Sequence, residues 1–415
     1  MSERSERTRE SFRELWASLL PIGRERSTGG YRRFAWTPAD LACRAWFREQ
    51  AERRGLRTEV DRNGNLWAWW GEPSADGPRA VVTGSHLDSV PDGGAYDGPL
   101  GIVSAFAAID DLRARGMQPA RPLAIVAFAD EEGARFGVAC AGSRLMTGAL
   151  DPARTRELRD IDGVTLAEAM AAAGHDPTLL GRDPERLRLI DTFVELHIEQ
   201  GRGLVDLDAP VGVATGIWPH GRWRLDFQGA ADHAGTTRLP DRRDPMLPFA
   251  RAVLAARDIA AGAEALATIG RVYVVPGAAN GVPSAVHAWL DARAAEEDAV
   301  IRVVEKLYAG ALRAAEGHGV GVAIERESWT AGVDFGPGLR KRLAQLVAPA
   351  GRTAAPALPT GAGHDAGVLA AEVPAAMLFV RNPTGVSHSP AEHAEEADCL
   401  RGVDALATVL AELAG

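Results

Sequence analysis

The stretch GSHLDSVPDGGAYDGPLG, Gly84 to Gly101, places His86 two residues before Asp88 and reaches Asp97 through a loop of Pro and Gly. An imidazole and carboxylates at this spacing serve either as polar decoration on an exposed turn or as half of a metal site. Residues of the same chemistry close other apolar runs: Glu131 and Glu132 in FADEEGARFG, His197 in ELHIEQG, and His388 in GVSHSPAEH. Three imidazoles with two or three carboxylates make a mixed nitrogen and oxygen donor set, suited to Zn2+, Mn2+, Co2+ or Ni2+. One carboxylate shared between two such ions would hold them roughly 3.5–4 Å apart. Taken singly, each residue has a plainer use. HLD suits a turn, Glu131–Glu132 a solvated helix start where acids suit the dipole, and His388 a surface position. Their combination is what favours a metal.

Such residues need elements to bring them together. AVVTGSHLD reads as a buried strand ending in ligand-type residues, with His86 and Asp88 two apart and so on one side of it. GPLGIVSAFAAIDDLRARG follows as a helix entered through glycine, and PLAIVAFADEEGARFG repeats the strand with acids at its end. This alternation predicts an α/β domain with a mainly parallel sheet. Ligand sites in such sheets lie beyond the carboxyl ends of the strands. Glu131 and Glu132, being adjacent, can share one site only through an irregular backbone. WTPADLACRAWFREQAERRGL predicts a helix with Thr37 as N-cap, Pro38 at its first position and Asp40 in a capping box. Leu41, Ala45 and Trp46 give it an apolar stripe, and Gly55 ends it. LRTEVDRNGNLWAWW predicts a hairpin turning at Asn63–Gly64. Between Val211 and Ser328 the order changes to βαββαβ, the split arrangement of a ferredoxin-like α+β sandwich. The expected organisation is a catalytic domain, 1–210 and 329–415, with an inserted domain at 211–328. The Ala/Pro-rich segment Ala348 to Pro359 is expected as a surface connection.

Composition narrows the function. The 415 residues are 46% hydrophobic and 25% charged, with a net charge of -10. Dispersed acids and no basic stripe argue against nucleic acid and anionic membranes as partners. No apolar run approaches the roughly 20 residues that span a bilayer, and MSERSERTRESF shows no apolar signal-peptide core. Three scattered cysteines suit a reducing, cytoplasmic setting and oppose a disulfide framework.

The segments TGSHLDSVPDGGAYDGPLG, FADEEGARFG, ELHIEQG, HAGTT, LDAR, GAGHDA and SHSPAE span nearly the whole chain. In that order they resemble the amidase/hydantoinase/carbamoylase branch of metallopeptidase family M20, which includes allantoate amidohydrolases and N-carbamoyl-L-amino acid hydrolases. The resemblance implies a zinc-peptidase-like catalytic domain, an inserted dimerisation and lid domain, and two divalent ions per subunit. His86 and His197 would bind one ion, Glu132 and His388 the other, and Asp97 would bridge them. Asp88 would accept the free N–H of His86 and fix its tautomer. Glu131 would be the general base that takes a proton from water and returns it to the leaving nitrogen. His233 would donate to the developing oxyanion, often across a homodimer interface. Asn280 and Arg293 would hold a substrate carboxylate, Arg by its bidentate fork. Gln200 would bond the ureido group, with His220 a further candidate contact.

The implied activity is removal of a terminal carbamoyl group from a small ureido acid, with allantoate as the first candidate. N-carbamoyl-L-amino acids come next, then peptidase or aminoacylase activity, then a scaffold without turnover. Thr236-Thr237-Arg238-Leu239 and Asn280-Gly281-Val282-Pro283-Ser284 depart from the commoner family wording, which bears on the substrate and leaves the ligands untouched. His364–Asp365 reads as structural or supporting. His175, His287, His318 and His393 read as surface or satisfied histidines, and Trp67, Trp69 and Trp70 as core with a possible interface residue among them.

Overall fold

LAIVAF, Leu123–Phe128, is apolar at every position and buried throughout, as a strand covered on both faces must be. The computed structural model describes residues 3–74 and 76–415. The chain parts into two compact units, one running up to Gly216 and resuming at Asp334–Gly415, the other Ile217–Val333. Strands of the first unit are β1 (Arg57–Val60), β2 (Leu66–Trp70), β3 (Ala80–His86), β4 (Leu123–Phe128), β5 (Ile190–Ile198) and β6 (Val211–Ile217). After the insert come β13 (Val333–Asp334), β14 (Ala357–Thr360) and β15 (Ala375–Val380). Among the described residues these nine form one sheet in the order β1-β2-β4-β3-β5-β15-β6-β13, with β14 beside β6. The central neighbours β4, β3, β5 and β15 run parallel. Their carboxyl ends therefore open on one edge, where β3 ends at His86 and β5 at Ile198. β6, at the start of the stretch 211–328, pairs with β15 in this sheet.

Several local expectations are corrected. The helix Pro38–Arg53 has Thr37 before it, yet Thr37 Oγ1 bonds the Phe34 carbonyl. Asp40 accepts from the Trp36 N–H instead of the N-cap amide, and it also pairs with Arg44. The buried stripe is Cys43, Trp46, Phe47, Gln50 and Ala51, while Leu41 and Ala45 face outward. The hairpin β1–β2 turns as expected, with Gly64 at φ 84°. Trp67 and Trp69 stack at 5.4 Å and are wholly buried, so neither is an interface residue. The segment 348–359 is only partly a connection, since it leads into β14 and buries Ala355. The charged N-terminus forms a helix, Glu3–Leu19, that buries Phe12, Leu15 and Leu19 in the main core. No helix among the described residues is long and apolar enough to cross a membrane.

The second unit contains β7 (His220–Gln228), β8 (Asp232–His233), β9 (Ala265–Val275), β10 (Gly281–Val282), β11 (Ala285–Ala294) and β12 (Gly321–Thr330). Its main sheet is antiparallel in the order β12-β7-β11-β9, with β8 and β10 as a separate small ladder. Alternation decides its faces. Trp223, Leu225 and Phe227 of β7 and Val286, Ala288 and Leu290 of β11 pack with the helices Met246–Ala261 and Glu297–Glu316. The other face carries Arg224, Asp226, His287, Asp291 and Arg293.

Candidate metal centre

The first unit gathers five of the expected residues into two overlapping groups, His86–Asp97–His197 and Asp97–Glu132–His388. His86 Nε2 and His197 Nε2 lie 3.5 and 3.2 Å from one oxygen of Asp97, Oδ1. His388 Nε2 lies 3.4 Å from the other oxygen, Oδ2, and 3.6 Å from Glu132 Oε2. One carboxylate thus faces both sets of donors. The loop that delivers Asp97 turns at Gly98, φ 81°, where a Cβ would run into the His86 ring. His388 reaches the group from a left-handed backbone, φ 55°.

The ring hydrogen bonds fix which nitrogen is available. His86 Nδ1 is 3.2 Å from the Asp88 carbonyl and His197 Nδ1 is 2.8 Å from the Ile198 carbonyl. Carbonyl oxygens only accept, so each Nδ1 carries a proton, and a ring that gives up its second proton to a cation turns its Nε2 lone pair inward. Both Nε2 atoms are buried and lack a hydrogen-bond partner. Buried nitrogen lone pairs aimed at a shared carboxylate fit a divalent cation, which would satisfy all of them at once.

Electrostatics point the same way. Burial pushes the Glu132 carboxyl up to about 8, with the nearby Asp97 charge adding to it. Burial likewise holds Glu131 well above the usual carboxylate range. Burial would raise Asp97 too, but the closeness of the His197 and His86 rings overrules it and holds its carboxyl well below the usual range. Burial would lower His86, yet Glu131, Asp88 and Asp97 raise it well above an ordinary imidazole. Without a cation the cluster can balance its charge only with protons.

Glu131 sits beside this cluster, its Oε2 3.7 Å from His86 Nε2. The irregular backbone that the pair Glu131–Glu132 requires is supplied by Asp130 at φ 54°. The Asp88 carboxylate accepts from the N–H groups of Glu131 and Glu132 at 3.2 and 3.0 Å. Asp88 therefore steadies His86 chiefly through its carbonyl and spends its carboxylate on the two glutamates. β3 stops at His86, so the two residues do not share a strand face. Gln200 donates to Asp97 Oδ2 at 2.8 Å and to Ser387 Oγ at 3.1 Å, placing its amide inside the same cluster.

The remaining expected residues lie in the second unit. His233 Nδ1 accepts from the N–H groups of Gly235 and Thr236 at 3.0 and 3.1 Å, which leaves the proton on Nε2. The β8–β10 ladder puts Asn280 beside this turn, its carbonyl accepting from Ala234 N–H. His220 and Arg293 are cross-strand partners on β7 and β11. Arg293 holds Asp291 in a two-pronged pair at 2.7 and 3.0 Å.

Sequence reasoning passed over several buried groups. Glu195 accepts from Ser85 Oγ at 2.8 Å and from Ala366 N–H at 3.0 Å, and its place two residues before His197 on a strand was the available signal. Cys140 Sγ donates to Glu131 Oε1 at 3.2 Å, which nothing in the sequence announces. His364 is buried with its ring 4.5 Å from that of His197. Glu392 lies within the SHSPAEH motif and accepts from the N–H groups of Tyr96 and Asp97.

A parallel sheet whose strand ends collect histidines and carboxylates around one shared aspartate defines a metal-dependent hydrolase. Comparison with known proteins agrees. The chain is 35% identical over 405 residues to an N-carbamoyl-L-amino acid amidohydrolase of Geobacillus stearothermophilus, covering 96% of this chain and 98% of that one. It is 32% identical over 410 residues to the allantoate amidohydrolase of Escherichia coli K12, covering 98% of each. Among solved structures, an amidase of the hydantoinase/carbamoylase family from Burkholderia vietnamiensis superposes with a TM-score of 0.85, at 30% identity and 97% coverage of each chain. Residues 82–412 match peptidase family M20/M25/M40, and the chain belongs to that family.

Proposed function

We propose that this hydrolase removes the terminal carbamoyl group from a small ureido acid, at a centre where His86, Asp97, Glu132, His197 and His388 hold two divalent ions. The observation that carries the proposal is the pair of unpartnered imidazole nitrogens facing one oxygen of Asp97, with His388 and Glu132 at the other. Ions bound there supply Lewis acidity and bring water towards ionisation near neutral pH. Glu131 moves the protons. Its Oε1 is occupied by the Cys140 thiol, so Oε2 takes a proton from the attacking water and returns it to the terminal nitrogen. The bond from the carbamoyl carbon to that nitrogen breaks, ammonia leaves, and the carbamate left behind loses carbon dioxide.

His233 can donate only from Nε2, the arrangement an oxyanion donor requires. Arg293 and Asn280 are assigned to the substrate carboxylate, Gln200 and His220 to ureido groups. Every one of these side chains is polar. Allantoate, with one carboxylate and two ureido groups, uses such a set more fully than an N-carbamoyl amino acid with an apolar side chain, so allantoate is the substrate proposed. The products would be ureidoglycine, ammonia and carbon dioxide. We further assign a homodimer to the second unit, whose edge strand β9 and neighbouring helix expose Leu254, Leu266 and Tyr273. A single chain mass in sedimentation equilibrium would count against that assignment.

The test is ammonia release by metal-stripped protein reloaded with Mn2+, Zn2+, Co2+ or Ni2+, over allantoate, ureidoglycolate and a panel of N-carbamoyl-L-amino acids. Highest kcat/KM on allantoate is expected. Preference for a carbamoyl amino acid would move the substrate within the class, and cleavage only of dipeptides or acyl amino acids would overturn the class.

A further inference from the structure

Asp97 is the residue on which both halves of the proposed metal centre depend, yet it stands on a glycine-rich loop, Gly93-Gly94-Ala95-Tyr96-Asp97-Gly98. Such a loop has no propensity to hold one conformation, and glycine adds to its freedom in the unfolded chain. Something outside the loop must fix it.

Tyr31 N–H donates to the Gly93 carbonyl at 3.0 Å and Gln200 to Asp97 Oδ2 at 2.8 Å, and the groups that hold the backbone at Tyr96 and Asp97 come from the far end of the sequence. Glu392 is 6% exposed, and its Oε2 accepts from the N–H of Tyr96 at 2.9 Å and from the N–H of Asp97 at 3.0 Å. The fit is close enough that a Cβ on Gly94 would strike the Glu392 carboxylate, so glycine is the residue the contact admits there. Ser387 Oγ lies 3.1 Å from Asp97 Oδ2 and 3.4 Å from Glu392 Oε1, tying the carboxylate of Asp97 to the segment that also carries His388. Two consecutive buried amides that share one carboxyl oxygen are held in place, since leaving either without an acceptor would cost its full desolvation.

We infer that Glu392 is a positioning residue for the metal centre: it binds the backbone of the Asp97 loop so that one Asp97 oxygen faces His86 and His197 while the other faces His388. The inference rests on the metal centre proposed above. Glu392 itself is assigned no ion and no contact with substrate. Its action is to set the two faces of Asp97 before any ion arrives, and to couple the loop of Asp97 to the segment Ser387–Glu392. Metal affinity then depends on a side chain outside the ligand set, as it does when the partners that orient ligands are removed.

Two substitutions of similar volume separate positioning from bulk packing. Glu392→Gln keeps one oxygen that can accept from both amides; Glu392→Met fills the space and accepts from neither. Metal-stripped wild-type, Gln and Met chains are titrated with Mn2+ and with Zn2+ by calorimetry. Melting temperature and circular dichroism of the same stripped samples report the fold. The expected result is two ions per wild-type chain, binding within about 5-fold of wild type for Glu392→Gln, and a loss of about 10–100-fold for Glu392→Met while the stripped fold persists. Equal affinities in wild type and Glu392→Met would overturn the role of Glu392 and leave the centre standing. Equal losses in Gln and Met would also overturn it, since an acceptor oxygen would then not be what matters. A wild-type chain that binds no ion would overturn the centre and the inference together. If the Met variant does not fold, Glu392→Ala is titrated in its place: a loss of about 10-fold or more with the stripped fold intact supports the inference, and wild-type affinity overturns it.

Discussion

Glu131, the proposed base, is limited in a different way by each of its surroundings. The Asp88 carboxylate accepts from its backbone N–H, the Cys140 thiol occupies one oxygen, and Glu132 beside it stands at the proposed ligand position. Glu131→Gln should lower kcat by at least about 1000-fold, within the range of a lost acid–base group, while elemental analysis still finds two ions per chain. Loss of metal from that variant would make Glu131 a ligand. Arg293→Ala should raise KM for carboxylate substrates by about 10-fold or more, the size of a lost charged hydrogen bond, with a smaller change in kcat. An unchanged KM would remove Arg293 from the substrate contacts. Residue types at strand ends made the candidate ligands legible in the sequence, because few structural uses place an imidazole there repeatedly. Glu392 and Cys140 were not legible. Their partners are a backbone amide 295 positions away and a carboxylate across a left-handed turn, and neither leaves a pattern in residue types.

The elements of the first unit act as a frame whose edge is the site. β3 and β5 end at the proposed ligands, β4 feeds the Asp130 kink, and the loop after β15 brings Ser387 and His388. The turn at Gly98 is a tight joint in this frame, since its left-handed backbone and the His86 ring both exclude a side chain. Gly98→Ala should therefore weaken Mn2+ or Zn2+ binding by about 10-fold or more, as loss of ligand orientation does, and titration of the stripped protein checks it. Wild-type affinity in that variant would show that the ring has room to move. Buried parallel strands and the βαββαβ order could be read from hydrophobic runs because burial on both faces, or on alternate faces, writes itself into the sequence. The stripe of the helix Pro38–Arg53 could not. Cys43, Gln50 and Ala51 are buried there by what packs over them, and Leu41 projects outward although it fits a helical period.

For the whole molecule the buried acids set a cost that depends on pH. Burial raises Glu132 to about 8 and Glu392 to about 7, from an ordinary value of 4.5. A carboxyl raised on folding contributes stability below its unfolded pKa and loses it as pH rises through the folded one. Asp97 runs the other way, with its window below the ordinary aspartate value of 3.8, and so does His364, which burial holds well below an ordinary imidazole and which opposes the slope below about 6.5 against the more numerous raised carboxyls. The metal-stripped chain should therefore melt at progressively lower temperature from about pH 4.5 to about pH 8. Added Mn2+ or Zn2+ should flatten that slope by supplying the positive charge the carboxylates lack. A stripped protein whose melting temperature is level across this window would contradict the charge balance drawn for the cluster. Crystals grown with Mn2+ or Zn2+ and measured at the metal's absorption edge put the matter most directly. Two anomalous peaks are predicted in each chain, one touching His86, His197 and Asp97, the other touching Asp97, Glu132 and His388. A metal-loaded crystal with no peak at Asp97 would contradict the account.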